Sequence, residues 1–376
     1  MAGLYIHIPF CASRCVYCGF YSTTQSPLKD KYVDSVCREM GLRKNYLPSD
    51  EKLTTIYIGG GTPSQLTCEQ TERLFHAIGQ TFDVSSVKEV TMECNPDDVT
   101  EAFAESLRNF PVNRISMGAQ TFSDERLQFL RRRHSSEEVY DAVKRLRKVG
   151  IGNISIDLMF GFPNEKLDEW EDDIRQALSL NVEHISAYSL MYEEGTPLYR
   201  WMKEEKVCEV DEETSRRMYE MLIDRLVEAG YEHYEISNFA RLGYRSRHNS
   251  GYWKAVPYIG VGASAHSYDI TSRQWNVDDI GAYIREIEKG IVPCECEDLD
   301  LVDRYNDLIT TALRRIEGIS LFELRQNFGS ELKQYLLRNA QKNITLHLLE
   351  IVNGRIRLTR KGLFVSDSIM SDLIKV

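Results

Sequence analysis

Short apolar runs alternate with amphipathic helical patterns along the first two hundred or so residues. Successive runs start roughly 25 to 50 residues apart, which leaves room for a crossover helix between parallel strands. The predicted strands are Leu4–Ile8, Thr55–Ile58, Val87–Met92, Arg114–Met117, Asn153–Met159 and His184–Leu190. Between them, patterns such as Glu137–Val149 and Leu167–Leu180 place apolar residues on one helical face. This repetition predicts an α/β fold, and six units rather than eight predict a partial (β/α)6 barrel with a lateral gap for a large substrate.

The pattern changes in the second half of the chain. A long helix is predicted at Glu213–Ala229, and an aromatic, glycine-rich stretch runs from Tyr231 to Tyr268. Further on, the predicted elements are helices at Leu301–Ile316, Leu321–Phe328 and Leu332–Gln341, then a hairpin of Thr345–Val352 and Arg355–Leu358 around Asn353-Gly354. Helices closed by a hairpin predict a smaller helical, winged-helix-like C-terminal domain. We therefore expect three parts: a barrel at 1–235, a connecting segment at 236–300 and the C-terminal domain at 301–376.

Composition narrows the class of protein. The 376 residues carry a formal net charge of −11, which argues against a general nucleic-acid binder because such proteins present a basic face. No apolar run is long enough to span a membrane, and the first residues lack the features of a signal peptide. Nine cysteines in such a chain are expected to be thiols and metal ligands rather than disulfides. We expect a cytoplasmic protein.

Three cysteines stand close together directly after the first predicted strand. Cys11, Cys15 and Cys18 have CxxxCxxC spacing. A [4Fe–4S] cluster is held by cysteine thiolates, and three ligands in one loop leave one iron open to a substrate or cofactor. The amino and carboxylate groups of S-adenosylmethionine (SAM) suit that position. The alternatives are zinc, which usually requires a fourth Cys or His nearby, and chance clustering.

Polar residues follow the other predicted strands at their carboxyl ends, where α/β barrels carry their chemistry. Gly59-Gly60-Gly61-Thr62-Pro63 lets the backbone approach a ligand closely, and it lacks the Gly-Lys-Ser/Thr of a phosphate loop. The other strand ends and the loop after the fourth strand supply Glu93, Gln120, Arg132 and Asp157. A carboxylate at a strand end suits ribose hydroxyls. Taken singly, each of these residues could equally have a structural role; together they favour a site.

These motifs together resemble the oxygen-independent coproporphyrinogen III oxidase superfamily. The segments that carry the resemblance are Tyr5-Ile-His-Ile-Pro-Phe-Cys11, the cysteine loop, Gly-Gly-Gly-Thr-Pro, Glu93-Cys-Asn-Pro, Met117-Gly-Ala-Gln120 and Asp157-Leu-Met-Phe-Gly-Phe-Pro163. The resemblance implies a partial barrel whose cluster carries SAM. It places Tyr5 beside SAM, and Gly60, Gly61 and Thr62 along its methionine part. It makes Glu93, Gln120, Arg132 and Asp157 further SAM contacts.

Two features favour one branch of that superfamily. The oxidases have a fourth cysteine two residues after the third, a position occupied here by Phe20, and an N-terminal extension that is expected to be missing here. His248-Asn249-Ser-Gly-Tyr252-Trp253 instead matches the HNxxYW signature of the HemW-like haem chaperones. The resemblance therefore implies haem binding in the 236–300 segment, with Phe20 lining the cofactor site.

His248 is the candidate haem ligand. A neutral imidazole is a normal axial ligand of haem iron, and flanking aromatic rings supply flat apolar surface for a porphyrin. A single histidine among aromatic residues is, however, commonly a hydrogen-bonded core residue. His266 is an alternative or second ligand, whereas Cys294 and Cys296 are expected to be incidental thiols.

Three functions compete at this point. The first is a haem chaperone that carries a [4Fe–4S] cluster and SAM and hands haem to haem-requiring proteins such as respiratory complexes. The second is oxidative decarboxylation of coproporphyrinogen III in porphyrin biosynthesis, which Phe20 and HNxxYW disfavour. The third is radical modification of RNA, which the acidic composition disfavours. A homodimer that encloses haem is a further expectation.

Overall fold

The computed structural model describes residues 1–48 and 51–376. Its first strands are β1 (Ala2–Ile8), β2 (Leu53–Gly60), β3 (Glu89–Cys94), β4 (Arg114–Gln120), β5 (Ile154–Phe160) and β6 (His184–Ser189). The helices of this part are α1 (Lys29–Leu42), α2 (Cys68–Thr81), α3 (Glu101–Ser106), α4 (Asp124–Phe129), α5 (Ser136–Lys148), α6 (Leu167–Ser179), α7 (Pro197–Lys203) and α8 (Glu212–Glu228). Strands β1 to β6 pair in parallel in chain order. The predicted α/β partial barrel is therefore confirmed.

The stretch after α8 is richer in strands than the sequence pattern predicts. It contains β7 (Glu232–Glu235), β8 (Asn238–Ala240), α9 (Arg247–Tyr252), β9 (Tyr258–Val261), β10 (His266–Tyr268), β11 (Ser272–Asn276), α10 (Ile280–Glu288) and β12 (Cys294–Asp298). The sheet order is β12-β11-β10-β9-β1-β2-β3-β4-β5-β6-β8-β7. Strand β9 runs parallel to β1, and β8 runs antiparallel to β6. The segment thus extends the barrel sheet on both sides.

The barrel strands alternate between apolar and polar positions. On β1, Leu4, Ile6 and Ile8 belong to the main hydrophobic core, which is shared with the helices. The intervening Tyr5 and His7 face the barrel interior. Further buried polar residues alternate with core residues on the other strands: Thr55, Glu89, Thr91, Arg114, Ser116, Ser155, His184 and Ser186. The interiors of (β/α)8 barrels are usually filled by branched apolar side chains, so this interior is unusually polar.

The C-terminal part has a hydrophobic core of its own. Its elements are α11 (Leu301–Ala312), β13 (Ile319–Ser320), α12 (Leu321–Thr345), β14 (Leu349–Val352), β15 (Arg355–Leu358), α13 (Arg360–Leu363) and α14 (Ser366–Leu373). Helix α12 is interrupted at Gly329, whose φ of 83° separates two helical stretches. The predicted hairpin is present, but its first strand begins at Leu349, because Thr345 still belongs to α12. Asn353 and Gly354 both have positive φ, as a two-residue type I′ turn requires. The C-terminal part is therefore a smaller helical unit with a three-stranded sheet, and α13 and α14 follow the hairpin.

In the part of the chain that the structure describes, every helix is too short or too polar to cross a bilayer.

Candidate functional site

One cavity at the carboxyl ends of the barrel strands gathers most of the residues singled out from the sequence. Its volume is about 190 Å³. The predicted residues that line it are Cys11, Cys15, Cys18, Phe20, Gly60, Gly61, Thr62, Glu93, Gln120, Arg132 and Asp157. Residues from four successive strands, β2 to β5, and from the loops that follow β1 and β4 therefore meet at one place. Tyr5 and His248 lie elsewhere.

The cysteine loop forms one wall of this cavity. It is tied back to the barrel because the Cys11 backbone N–H donates to the Thr23 carbonyl at 2.9 Å. Thr62 Oγ1 donates to Cys11 Sγ at 3.5 Å, and Arg132 Nη1 donates to Cys15 Sγ at 3.6 Å. Burial raises the pKa of the Cys11 and Cys18 thiols. Three thiols facing one cavity, with a cation and a hydroxyl directed at two of them, fit the ligand set of an iron–sulfur cluster.

The arrangement of these thiols differs from that of a site for a single metal ion. Within residues 1–48 and 51–376, no three His, Cys, Asp or Glu side chains are close enough together to hold one metal ion. A [4Fe–4S] cluster does not require such closeness, because each cysteine thiolate binds a different iron.

The glycine-rich turn after β2 allows two stretches of backbone to approach each other. Gly60 has a φ of 113°, a conformation that residues with a side chain rarely adopt. A Cβ at Gly61 would lie 2.8 Å from the Pro9 carbonyl carbon, so a side chain there would push the cysteine loop away. The turn thus fixes the distance between the cysteine loop and β2.

Two carboxyl groups lie buried in the floor of the cavity. Glu93 accepts hydrogen bonds from Tyr57 Oη at 2.6 Å and from the Gly60 backbone N–H at 3.0 Å. Burial, reinforced by the neighbouring Asp157, raises the pKa of Glu93 to about 7. Burial likewise raises the pKa of Asp157 to about 6, although Ser186 and Arg114 oppose that shift. Both groups would be stabilised as carboxylates by a bound cation, which fits the sulfonium of SAM.

Arg132 joins three elements of the site. Its Nη2 donates to Asn95 Oδ1 at 2.6 Å and to the Gly118 carbonyl at 2.7 Å. Burial alone would lower the pKa of Arg132, but Tyr17 and Cys15 raise it above its ordinary value. The guanidinium therefore remains charged beside the cysteine loop.

Gln120 occupies a strained position at the end of β4. Its φ is 69°, and the pairing of β4 with β5 shifts register between Gly118 and Gln120. Unfavourable backbone angles of this kind are concentrated at functional sites. This register shift is a β-bulge, and it changes the direction of β4 at its end, where Gln120 lines the cavity wall.

Tyr5 lies deeper in the barrel than expected from the family resemblance, which places it beside SAM. Its hydroxyl is hydrogen-bonded to His7 Nδ1 at 2.9 Å, and its ring centroid is 6.1 Å from that of Tyr57. Sequence reasoning passed over Tyr57 and Asn95, which hold Glu93 and Arg132. The alternation along β2 could have revealed Tyr57 as an inward residue, and Asn95 lies within a motif that was already noted.

The HNxxYW segment forms helix α9 at the opposite, amino end of the barrel. The backbone N–H groups of Arg247 and His248 both donate to the Glu89 carboxylate at 2.9 Å. Glu89 is the first residue of β3, so the helix is attached to the start of the strands. Residues around α9 line a second cavity of about 590 Å³.

His248 is buried in the wall of this second cavity, and both its ring nitrogens are occupied. Nδ1 is hydrogen-bonded to Thr55 Oγ1 at 2.9 Å, and Nε2 to Tyr252 Oη at 2.8 Å. The imidazole also stacks on Tyr57 with a centroid distance of 5.1 Å. Burial lowers the pKa of His248 to about 3, so the ring is neutral at physiological pH. Neutrality suits a metal ligand, but Nε2 is free only when Tyr252 moves away.

The other candidates lie away from both cavities. His266 is on β10, where its ring stacks on Trp275 at 6.2 Å. Cys294 and Cys296 are exposed on the outer strand β12. None of these three residues lines the cavity beside His248.

Comparison with known proteins supports the fold and places the chain among relatives. The radical SAM superfamily profile matches residues 5–177, and the HemN C-terminal domain profile matches residues 299–365. The Heme chaperone HemW of Bacillus subtilis is 37% identical over 88% of this chain and 88% of its own length. The Heme chaperone HemW of Lactococcus lactis is 33% identical over 98% of this chain and 96% of its own length.

A solved structure extends the comparison to the whole fold. Coproporphyrinogen III oxidase (HemN) from Escherichia coli, described as a radical SAM enzyme, superimposes with a TM-score of 0.86. The match covers 100% of this chain and 90% of the other at 20% identity, so it shows a common fold rather than a common activity. Taken with the sequence identities, the barrel and the cysteine loop, these matches show that the chain belongs to the HemW family of radical SAM proteins.

Proposed function

We propose that this protein is a haem chaperone, which binds haem and passes it to haem-requiring proteins while carrying a [4Fe–4S] cluster and SAM. The observation that carries the proposal is the separation of the two cavities. The two cavities lie at opposite ends of barrel strands of six to eight residues, and no described residue lines both of them. Tyr57, which bonds Glu93 and stacks on His248, stands between them. A radical enzyme must hold its substrate against SAM, whereas a carrier can hold haem at a distance from it.

The cavity at the carboxyl ends has the residues to hold the cluster and SAM. Cys11, Cys15 and Cys18 would ligate three irons, and SAM would occupy the fourth. When bound, the cluster and SAM together would supply one-electron chemistry. The chain contributes the charges around it: Glu93 and Asp157 face a cation, and Arg132 stabilises the cysteine loop.

Further residues would position SAM. Gly60, Gly61 and Thr62 would offer close backbone and hydroxyl contacts to its methionine part, and Gln120 would add a side-chain amide. Tyr5 would act only through Tyr57, whose ring lies 6.1 Å away and whose hydroxyl bonds Glu93. Phe20, which is 73% exposed, lies at the mouth where the oxidases have their fourth cysteine.

His248 would ligate haem iron from the second cavity. With its proton on Nδ1 and donated to Thr55, Nε2 carries the lone pair that iron requires. Tyr252 Oη would then have to leave Nε2 as haem enters. The relatives named Heme chaperone HemW support this role, because the chain is 30–37% identical to several of them.

The proposal extends to partners and location. Acceptors would be haem-requiring proteins such as respiratory complexes, which the chain would meet from the cytoplasm. A homodimer could shield haem between two chains.

Coproporphyrinogen III oxidation is the second candidate, favoured by the likeness to HemN in fold. Two assays on the cluster-reconstituted chain separate the candidates. In the first, the haem-loaded chain is mixed with increasing apomyoglobin, and a transfer rate that rises with acceptor concentration indicates direct transfer rather than spontaneous release. In the second, coproporphyrinogen III, SAM and a reductant are added anaerobically, and decarboxylated product is measured. We expect direct transfer without turnover; turnover without direct transfer would reject the chaperone proposal.

A further inference from the structure

The cavity beside His248 is positively charged, although the chain as a whole is acidic. Five cationic side chains line it, from Lys88, Arg245, Arg247, Lys254 and Arg315, against the two carboxylates of Glu232 and Glu317. The chain carries a net charge of −11. A local excess of cations on an acidic protein indicates an anionic ligand.

Pairing among these charges leaves most of the cations free. Arg245 forms ion pairs with both carboxylates. Its Nε lies 3.2 Å from the Glu232 carboxylate, and its Nη1 lies 2.7 Å from that of Glu317. Among the described residues, no carboxylate oxygen lies within 4.0 Å of the side-chain nitrogens of Lys88, Arg247, Lys254 or Arg315. The cavity therefore presents cations that its own acidic residues do not neutralise.

Arg315 is the most informative of these cations. Its Nε is buried and has no hydrogen-bond partner among residues 1–48 and 51–376, and burial lowers its pKa. The residue is held in place by its backbone, since its neighbours Arg314 and Ile316 exchange hydrogen bonds with Ile236 and Tyr234 around β7. An unpaired buried guanidinium N–H is costly, and an anion entering the cavity would relieve that cost.

The remaining walls are apolar and largely aromatic. They include Tyr252, Trp253, Val256, Pro257 and Tyr258, and Tyr252 and Tyr258 meet edge to face at 4.7 Å. The volume of about 590 Å³ lies within the roughly 300–1,000 Å³ of small-molecule sites. A ligand with a flat apolar ring system and carboxylate groups fits both the aromatic and the cationic walls of this cavity.

We propose that Arg247, Lys254 and Arg315 bind the propionate carboxylates of haem and so select a free-acid porphyrin for this cavity. The proposal rests on the proposed function and adds the groups that determine specificity. It assigns iron recognition to His248 and carboxylate recognition to the three cations, so the two can be tested separately.

The test compares three ligands on the full chain by absorbance titration: haem, haem dimethyl ester and iron-free protoporphyrin IX. We expect the ester to bind at least about tenfold more weakly than haem, because it lacks the carboxylates that form charge-assisted hydrogen bonds. Protoporphyrin IX should bind equally to wild type and His248→Ala. Inorganic phosphate at the same ionic strength should compete no better than chloride, because it lacks the apolar body.

Single substitutions of the three cations test the same proposal, with an exposed cation outside the cavity as the control. Lys254→Gln and Arg247→Gln change exposed side chains, and Arg315→Gln changes one whose Nε has no hydrogen-bond partner in the described part of the chain. Each should weaken haem about tenfold and leave the ester unaffected, while Lys361→Gln, an exposed cation outside the cavity, should change neither. Equal affinities for haem and its ester would overturn this inference and leave the chaperone proposal standing. Failure of wild type to bind any of the three would instead reject the proposed function.

Discussion

Glu93 and Asp157 show how burial prepares a site for a cation. Each carboxyl has a raised pKa, about 7 for Glu93 and about 6 for Asp157, because burial removes it from water; the nearby Asp157 raises the pKa of Glu93 further. A protonated carboxyl is neutral and attracts a sulfonium only weakly. A bound cation lowers both pKa values, so binding must release protons wherever the free groups are partly protonated.

SAM affinity should therefore depend on pH. Between about pH 6 and about pH 8 we expect SAM to bind the reconstituted chain about tenfold more tightly at the higher pH, because the Glu93 proton no longer has to be displaced. Calorimetry in buffers of different ionisation enthalpy would detect the released proton. Glu93→Gln should flatten the profile, with Glu288→Gln, an exposed residue of α10, as a control; a flat wild-type profile would contradict this account of the carboxyl pair.

Tyr252 governs access to His248. Its hydroxyl occupies Nε2, and a hydrogen bond of this kind contributes about 0.5–1.5 kcal/mol. Tyr252→Phe removes the hydroxyl and keeps the ring, so haem should bind roughly threefold to tenfold more tightly. Tyr258→Phe changes the adjoining ring without touching His248 and is the control. Weaker haem binding in Tyr252→Phe would mean that the hydroxyl supports the bound state instead.

At the level of secondary structure, one carboxylate attaches the first turn of α9 to the start of β3. Glu89 accepts both of the first N–H groups of the helix, and Ser246 Oγ accepts that of Asn249 at 3.3 Å. Glu89→Gln leaves only one acceptor oxygen and no charge, and should lower the free energy of unfolding by about 1–3 kcal/mol. Urea denaturation would measure this, with the exposed Glu101→Gln as reference. An unchanged midpoint would show that packing alone holds α9 in place.

Strand length decided which elements could be predicted from sequence. Strands β1 to β6 have six to eight residues each, enough for a clear apolar pattern between helices. Strands β7 to β11 have three to five residues, and β12 is an exposed edge strand without buried positions. Such strands are specified by their neighbours in the sheet rather than by their own pattern.

At the scale of the whole molecule, the two motifs lie at opposite ends of one polar barrel. The residues after β1 to β5 could be placed together from sequence, because the carboxyl ends of parallel strands share one edge. His248 could not be placed, because nothing in HNxxYW encodes the contact with Glu89 and Thr55, which lie far away along the chain. The barrel interior between them is bridged by Tyr57, which bonds Glu93 and stacks on His248.

Haem binding through His248 is tested most directly by an anaerobic haem titration of the cluster-reconstituted protein. The Soret band should saturate near one haem per chain in wild type, whereas His248→Ala should bind haem more weakly and with a shifted Soret band, because the axial nitrogen is lost while the contacts to the porphyrin ring and its carboxylates remain. His266→Ala, which alters an exposed histidine outside the cavity, should bind like wild type. Absence of saturable binding in wild type, or undiminished binding with an unchanged spectrum in His248→Ala, would contradict the account.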